Sequence, residues 1–336
     1  MKTNLATIQV VTEVQPCPNS DNLDLVKVLG WRVVTRRNEF KIGDKCVYIA
    51  IDTVVPETPQ FEFLRKAHFR IRTCRLRKQL SQGIVFPTAI IQNQQEWTDG
   101  QDVTELVGVR KYEKPIPVNM AGMVKGSFPS YVPKTDEIML QSIPNILKEI
   151  AGKDVYISVK CDGTSCTFGN FNGEIDVCSR KLSLKDAEGN LYWQIFKKYN
   201  IAGVFEKNPN IAIQGEVCGP SIQKNRLGLK EHELFVFQVY DIKSGKYLNY
   251  ADFIEFCRIN NLQTVPILNT CTFDFTMEEM IEMAKGVYAN GQLREGIVVR
   301  PLVECYSPSV DNHDDKLRGR MSFKVLNNDF LEKNKE

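Results

Sequence analysis

The chain has 336 residues, more than one hydrophobic core usually organises, so about two domains are expected. Hydrophobic residues make up 43% and charged residues 25%, which excludes a mainly disordered or collagen-like chain. Basic and acidic residues nearly cancel, 43 against 41, which excludes a protein coated in positive charge but leaves room for a local basic surface.

No apolar run approaches the roughly 18 residues of a membrane span, and the first eleven residues lack the charged start and apolar middle of a signal peptide. The ten cysteines are scattered with no Cys-x-x-Cys, and none of His68, His232 and His313 stands at metal-ligand spacing to a cysteine. Free thiols in a reducing, cytoplasmic or nuclear compartment are expected, without a zinc site.

Ala6–Val14, Leu25–Leu29, Arg32–Thr35, Cys46–Ile51 and Phe69–Leu76 read as short strands broken by turn clusters, the pattern of a small β-barrel. Residues 109–134 lose all periodicity and carry Pro115, Pro117, Gly122, Gly126, Pro129 and Pro133, which marks an interdomain connection. Domains are expected over residues 1–114 and 115–336. Beyond the connection, Ser142–Ile150 reads as a helix and Val155–Lys160 as a strand. Thr164–Phe168 and Glu174–Ser179 read as a hairpin around residues 169–173. Ile211–Cys218 and Leu234–Ile242 are further strands, and Thr276-x-x-Glu279 is a capping box opening a helix that ends near Gly291. Glu295–Arg300 and Arg320–Leu326 close the chain as strands. Strands and helices interleave without βαβ regularity, so the second domain is read as α+β with mostly antiparallel sheets.

Residues 65–78 hold seven Lys or Arg and no acid. In an extended strand Arg70 and Arg72 share one face, and a bulge at Thr73 brings Arg75 and Arg77 to the same side. Such a ribbon suits nucleic-acid phosphates, whose neutralisation releases counterions; a solvated outer barrel face is the alternative.

The sharpest feature is Lys160-Cys161-Asp162-Gly163, a lysine ending an alternating strand before a tight turn. A lysine nucleophile needs its neutral amine, which nearby positive charge or burial favours. Downstream, Arg180 ends the hairpin, Glu216 lies near a strand's end, Phe235 and Phe237 share a strand face, Glu295 precedes an apolar strand and Lys324 sits on the last one. Taken singly, each is at home in a core or on a surface.

In this order, from about Gly126 to Phe330, they resemble the covalent nucleotidyltransferases, the polynucleotide ligases and mRNA capping enzymes. Lys160–Gly163 resembles the adenylated-lysine motif, and Gln214–Pro220, Arg294–Val299 and Ser322–Val325 resemble later motifs. Phe128–Glu137 and Gly215–Asn225 are similar to elements of RNA ligases. Pro18–Asp24 and Leu80–Ile84 are similar to the OB-fold domain that precedes the catalytic domain in one branch of ATP-dependent RNA ligases. Two positions depart from that branch: Met139 where an Arg is usual, and Leu326 where a second Lys is usual.

The resemblance implies an N-terminal OB-fold barrel and an ATP-grasp-like ligase/capping fold. It also implies an ATP-dependent RNA ligase, acting in RNA repair, that joins 3′-hydroxyl and 5′-phosphate ends through lysyl-AMP and RNA-adenylate. Lys160 would be the nucleophile and Lys324 would ride on the α-phosphate. Asp162, Gly163, Arg180, Glu216, Phe235, Phe237 and Glu295 would complete the ATP site, with adenine stacked on Phe235 or Phe237. Glu216 and Glu295 would hold Mg²⁺ or Mn²⁺. RNA would meet Arg70, Arg72, Arg75, Arg77, Lys134 and Thr135. A monomer with no membrane and no obligate protein partner is expected. A GTP-using capping enzyme and a DNA ligase are rivals, weakened because only about a dozen residues follow Lys324, too few for a trailing OB domain. A non-catalytic or weakly active RNA-binding protein with a decayed transferase domain is the alternative from another class.

Overall fold

The computed structural model describes residues 4–92, 96–113, 122–307, 310 and 319–333, and the chain divides into two compact units. The first comprises residues 1–115 with 140–144 and 331–336; the second comprises 116–139 and 145–330. The expected division after residue 114 falls outside the described residues, while the described residues 140–144 and 331–333 group with the first unit. No helix among the described residues is long and apolar enough to cross a membrane.

In the first unit β1 (Ala6–Pro16), β2 (Leu23–Val28), β3 (Trp31–Arg36), β4 (Lys45–Ile49) and β8 (Ile84–Pro87) form an antiparallel sheet ordered β3-β2-β1-β4-β8. A register shift between Val11 and Glu13 lets the first half of β1 pair with β4 and the second half with β2. One long strand thereby serves both halves of the OB sheet, the usual effect of a bulge. Two-stranded ladders join β5 (Thr53–Val54) to β9 (Arg110–Lys111) and β6 (Cys74–Leu76) to β7 (Gln79–Ser81), and a short helix α1 (Thr104–Val107) precedes β9. Ile8, Val47, Ile49, Phe61, Phe69 and Ile71 fill its core.

The basic segment differs from the expected ribbon. Pro59–Ala67 is a 3₁₀ helix, and only Cys74–Leu76 of the expected strand Phe69–Leu76 forms. Phe69, Ile71 and Thr73 alternate into the interior, and the chain then turns back at Arg77 and Lys78. Burial of these three side chains, not charge, sets the path of the segment.

The second unit has two sheets. The seven-stranded one, ordered β10-β15-β14-β13-β16-β17-β18, contains β10 (Val124–Ser127), β13 (Thr164–Phe171), β14 (Glu174–Ser179), β15 (Leu182–Leu184), β16 (Ile211–Cys218), β17 (Glu233–Asp241) and β18 (Lys246–Tyr247). The five-stranded one, ordered β11-β21-β20-β12-β19, contains β11 (Ile138–Met139), β12 (Asp154–Lys160), β19 (Ile267–Thr272), β20 (Gly296–Pro301) and β21 (Phe323–Leu326). All ladders are antiparallel except β11 with β21. Helices α3 (Leu191–Lys198), α4 (Ile201–Lys207) and α5 (Tyr250–Ile259) contribute Phe196, Phe205 and Phe253 to the large core with Phe168 and Ile213 of the seven-stranded sheet.

The expected helix Ser142–Ile150 is a 3₁₀ turn followed by α2 (Ile146–Ile150); Pro144, which cannot donate a backbone hydrogen bond, separates them. The hairpin strands run through Gly169, so its turn shrinks to Asn172-Gly173. Thr276 and Glu279 form a reciprocal capping box, but α6 (Met277–Ala284) stops well short of Gly291. A last helix, α7 (Asn328–Lys333), follows β21.

Candidate active site

Strand β12 belongs to the five-stranded sheet and β13 to the seven-stranded sheet, so Cys161-Asp162-Gly163 carries the chain from one sheet to the other. Lys160 is the last residue before that crossing. Its antiparallel partner on β20 is Gly296, which brings Glu295 beside it. Lys160 Nζ donates to Glu295 Oε2 at 2.6 Å. Gly163 permits the crossing because a Cβ there would stand 2.4 Å from the Val217 carbonyl oxygen, 2.7 Å from Cys218 Sγ and 2.9 Å from Glu216 Cγ. Gly296 is equally constrained, its Cβ position being 2.2 Å from the Val325 carbonyl oxygen.

The seven-stranded sheet supplies Glu216 and Arg180, and the five-stranded sheet also supplies Lys324. Glu216 stands on β16 across from Ser165, and Arg180 follows β14. Lys324 on β21 pairs with Val298 of β20. Burial works to neutralise Lys160, but the Glu295 and Glu216 carboxylates outweigh it and hold the ammonium above its usual range, with Arg180 opposing them. The expectation of a depressed amine is therefore not met, because two nearby carboxylates favour the charged form of Lys160. Burial pushes the Glu216 carboxyl up to about 8, with Glu295 adding to the effect and Lys160 working against it. Burial, with Lys160 and Arg180 nearby, lowers Lys324. Asp162 is pushed up to about 6 by burial and by Glu295.

Among the described residues no group of three or more His, Cys, Asp and Glu side chains forms a metal cage. Glu295 and Glu216 nevertheless fit a hydrated divalent cation, since Mg²⁺ is commonly bound by one or two carboxylates plus waters and substrate phosphates. The buried Glu216 carboxyl, pushed toward its neutral form, marks a place where added positive charge is favourable.

Phe235 is 5% exposed and belongs to a buried cluster with Val159, Cys161, Cys218 and Val265. Phe237 is half-buried beside it, with the Arg300 guanidinium 5.8 Å from its ring centre. Of the two, Phe237 retains more ring surface for stacking a base. Thr135 Oγ1 lies 2.8 Å from Ser165 Oγ on β13, one residue from Thr164, and Lys134 is exposed. The upstream element is fastened by Gln214, which donates to the Pro133 carbonyl, and by Asp136, which pairs with Arg180. Glu137 accepts from Arg300 at 2.8 Å and from Ser322 Oγ at 2.6 Å, with Arg320 also close. Met139 pairs with Lys324 in register, and Leu326 lies two residues further along the same strand.

The expected RNA-binding arginines are not collected on one ribbon. Arg70 is largely covered, paired with Asp52 at 2.7 Å and set 3.6 Å over the centre of the Tyr112 ring. Arg72 is half-buried. Arg75 pairs with Glu332 at 2.7 Å, and Arg77 is exposed at the tip of the β6–β7 hairpin.

Two contributors have no counterpart in the sequence reading. Arg226 donates from Nε to Asp162 Oδ2 at 2.5 Å, and Tyr288 bonds to the backbone of both strand ends that carry Lys160 and Glu295. Arg226 directly follows the Gly215–Asn225 stretch. Nothing in the pattern around Tyr288 announces it.

A lysine at the crossing of two sheets, set among carboxylates and cations, is the arrangement that the resemblance to the covalent nucleotidyltransferases implies. The RNA ligase family matches residues 153–326, and an OB-fold domain matches residues 5–88. Naegleria gruberi RNA ligase, solved as a substituted form with AMP and Mn, is 32% identical, covers 99% of each chain and superposes with a TM-score of 0.88. The same ligase with pyrophosphate is 33% identical over 99% of each chain, TM-score 0.87. Another substituted form with ATP and Mn is 32% identical over 98% of this chain and 99% of that one, also 0.87. No curated protein matches the chain. The chain belongs to the RNA ligase family and carries an N-terminal OB-fold domain.

Proposed function

We propose that this ATP-dependent RNA ligase joins an RNA 3′-hydroxyl to a 5′-phosphate through Lys160. The observation that carries the reading is the Lys160–Glu295 pair at the sheet crossing, with Glu216, Arg180 and Lys324 around it. The Naegleria relatives hold ATP, AMP, pyrophosphate or Mn, which supports the same cofactors here.

Lys160 Nζ loses a proton, with Glu295 Oε2 the acceptor in reach, and attacks the α-phosphorus of ATP. The N–P bond forms as the bond to pyrophosphate breaks. An RNA 5′-phosphate oxygen then displaces Lys160, and a 3′-hydroxyl oxygen displaces AMP to leave a phosphodiester. Phosphoryl transfer of this kind rests on positioning and on cations facing the developing charge. Lys324 and Arg180 supply such cations; burial first, and then Lys160 and Arg180, lower the Lys324 ammonium, against Asp136 and Glu295. Magnesium or manganese on Glu295 and Glu216 would add charge neutralisation at the phosphates and favour the neutral amine. Phe237 offers a stacking face to adenine. In the first unit, Arg77 and Lys78 at the hairpin tip present the charge for an RNA backbone.

The test is incubation with α-labelled ATP and Mg²⁺. Wild-type protein becomes covalently labelled, and Lys160→Ala does not. Absence of an adduct overturns the reading, and preferential labelling by GTP reassigns the nucleotide. RNA and DNA ends compared in sealing assays then define the acceptor.

A further inference from the structure

The corner that carries Lys160 is held from two sides by groups bonded to its backbone and to Asp162. From one side comes the Tyr288 hydroxyl. It donates to the Lys160 carbonyl at 3.0 Å and accepts from the Asp162 amide at 3.0 Å and from the Glu295 amide at 3.4 Å. A phenol has one proton to give and two lone pairs to accept with. All of that capacity is spent on three backbone groups, two flanking Cys161 and one belonging to the partner carboxylate of Lys160.

The loop supplying Tyr288 is itself closed. Val287 bridges Leu293, Tyr288 N–H donates to the Gln292 carbonyl at 2.7 Å, and Arg294 N–H donates to the Gly286 carbonyl at 3.0 Å. One short loop thus presents both Tyr288 and Glu295. From the other side, Arg226 holds the Asp162 carboxylate at 2.5 Å, its guanidinium 4.9 Å from the centre of the Phe330 ring. The two arms are tied together, because Asn290 in the Tyr288 loop donates to the Arg226 carbonyl at 2.8 Å. The Arg226 loop bears a conformational cost: Ser221, Gln223, Lys224 and Asn225 all adopt positive φ, and Asn225 makes side-chain bonds to both backbone groups of Leu229.

We infer that Tyr288 and Arg226 form a clamp that sets the Lys160 amine against its carboxylate partner for the first chemical step. They are positioning residues, and the inference rests on the ligase reading above. Tyr288 fixes the main chain on both sides of the crossing relative to Glu295, and Arg226 fixes the side chain two residues beyond the nucleophile. A nucleophile must meet phosphorus in line, and a displacement of about 1 Å costs on the order of 100-fold in rate.

The experiment compares two reactions of the full chain. Single-turnover transfer of labelled AMP from ATP to Lys160 is measured across ATP concentrations. Sealing of RNA that already bears a 5′-adenylate, in which the lysine is not the nucleophile, is measured beside it. Tyr288→Phe removes one oxygen and keeps the ring; its maximal adenylation rate is expected to fall about 30-fold with half-saturating ATP within about 3-fold. Its sealing of pre-adenylated RNA is expected to stay within about 3-fold of wild type. Arg226→Met is expected to show the same split, with partial rescue in Arg226→Lys. Wild-type adenylation in Tyr288→Phe and Arg226→Met, or an equal fall in both reactions, overturns the clamp. Failure of the unsubstituted protein to adenylate overturns the ligase reading itself, so the two failures are distinguishable.

Discussion

Substituting Gly163 by Ala places a methyl where there is no room for one. The added Cβ would meet the Val217 carbonyl oxygen at 2.4 Å, Cys218 Sγ at 2.7 Å and Glu216 Cγ at 2.9 Å. A carbon–oxygen contact needs roughly 3.4 Å, so either the crossing or β16 must retreat by about 1 Å. The carbonyl belongs to a ladder, with Val217 opposite Thr164, and cannot swing aside as a flexible side chain would. Overpacking of this kind costs about 1–3 kcal/mol. The same retreat separates Lys160 from Glu216, and a 1 Å error in a near-attack geometry costs on the order of 100-fold. Thermal unfolding and single-turnover adenylation on the same preparation test both numbers. A Gly163→Ala protein with unchanged midpoint and rate would refute the reasoning, because it would mean the two sheets are not held at this spacing.

Two arginines of the basic segment separate structure from binding. Arg70→Ala breaks the Asp52 pair and the Tyr112 stack and is expected to lower stability by about 1 kcal/mol, leaving RNA affinity within twofold. Arg77→Ala is expected to leave stability unchanged and to reduce the slope of log affinity against log salt by about 0.7, read from titrations of single-stranded RNA. Glu137→Gln removes the carboxylate shared by two buried arginines and is expected to cost about 3–5 kcal/mol in denaturant unfolding. Burial alone would raise the Glu137 pKa, yet Arg300, Arg320 and Ser322 hold it below the usual carboxylate range. Its stabilisation is therefore complete above that range and lost as pH falls through the depressed value, so the Gln variant should show a shallower acid limb of stability against pH.

Much of the site was legible because its chemistry sits at strand ends, where alternation and punctuation are visible together. Lys160 ends an alternating run, Glu295 precedes one, and Gly163 and Gly296 stand where backbones approach closely. The arginine ribbon was misread because alternation predicts faces only while the strand continues. Phe69, Ile71 and Thr73 turn inward as a strand would, but the chain bends back at Arg77 and Lys78, and Arg70 and Arg75 are taken up by Asp52 and Glu332. Of the OB motif, Gly83 is explained by Tyr48: a Cβ there would stand 2.5 Å from its ring. Tyr288 and Arg226 were missed for a different reason. Each reaches the Lys160 corner across a long stretch of chain, at separations of 126 and 64 residues from Asp162, and no local period encodes such a pairing.

The charge arithmetic of the site explains why its lysine is held above its usual range. Lys160, Lys324, Arg180 and Arg226 face Glu295, Glu216, Asp162 and Asp136, four cations against four acids. The pairing is one-to-one for Arg226 with Asp162, Arg180 with Asp136 and Lys160 with Glu295. Glu216 and Lys324 are left as the buried groups pushed toward neutrality, the carboxyl upward and the amine downward. Each is stabilised by what a substrate complex would bring. A divalent cation held by Glu216 would favour its charged form, and a phosphate beside Lys324 would do the same for the ammonium. Lys160 behaves in the opposite sense, because any cation that competes for Glu295 weakens the pair that keeps the amine protonated. Under the proposed function, Glu216 and Glu295 would hold the cation and Lys324 would face a phosphate, and a cation on Glu295 would weaken the pair that favours the protonated Lys160 amine.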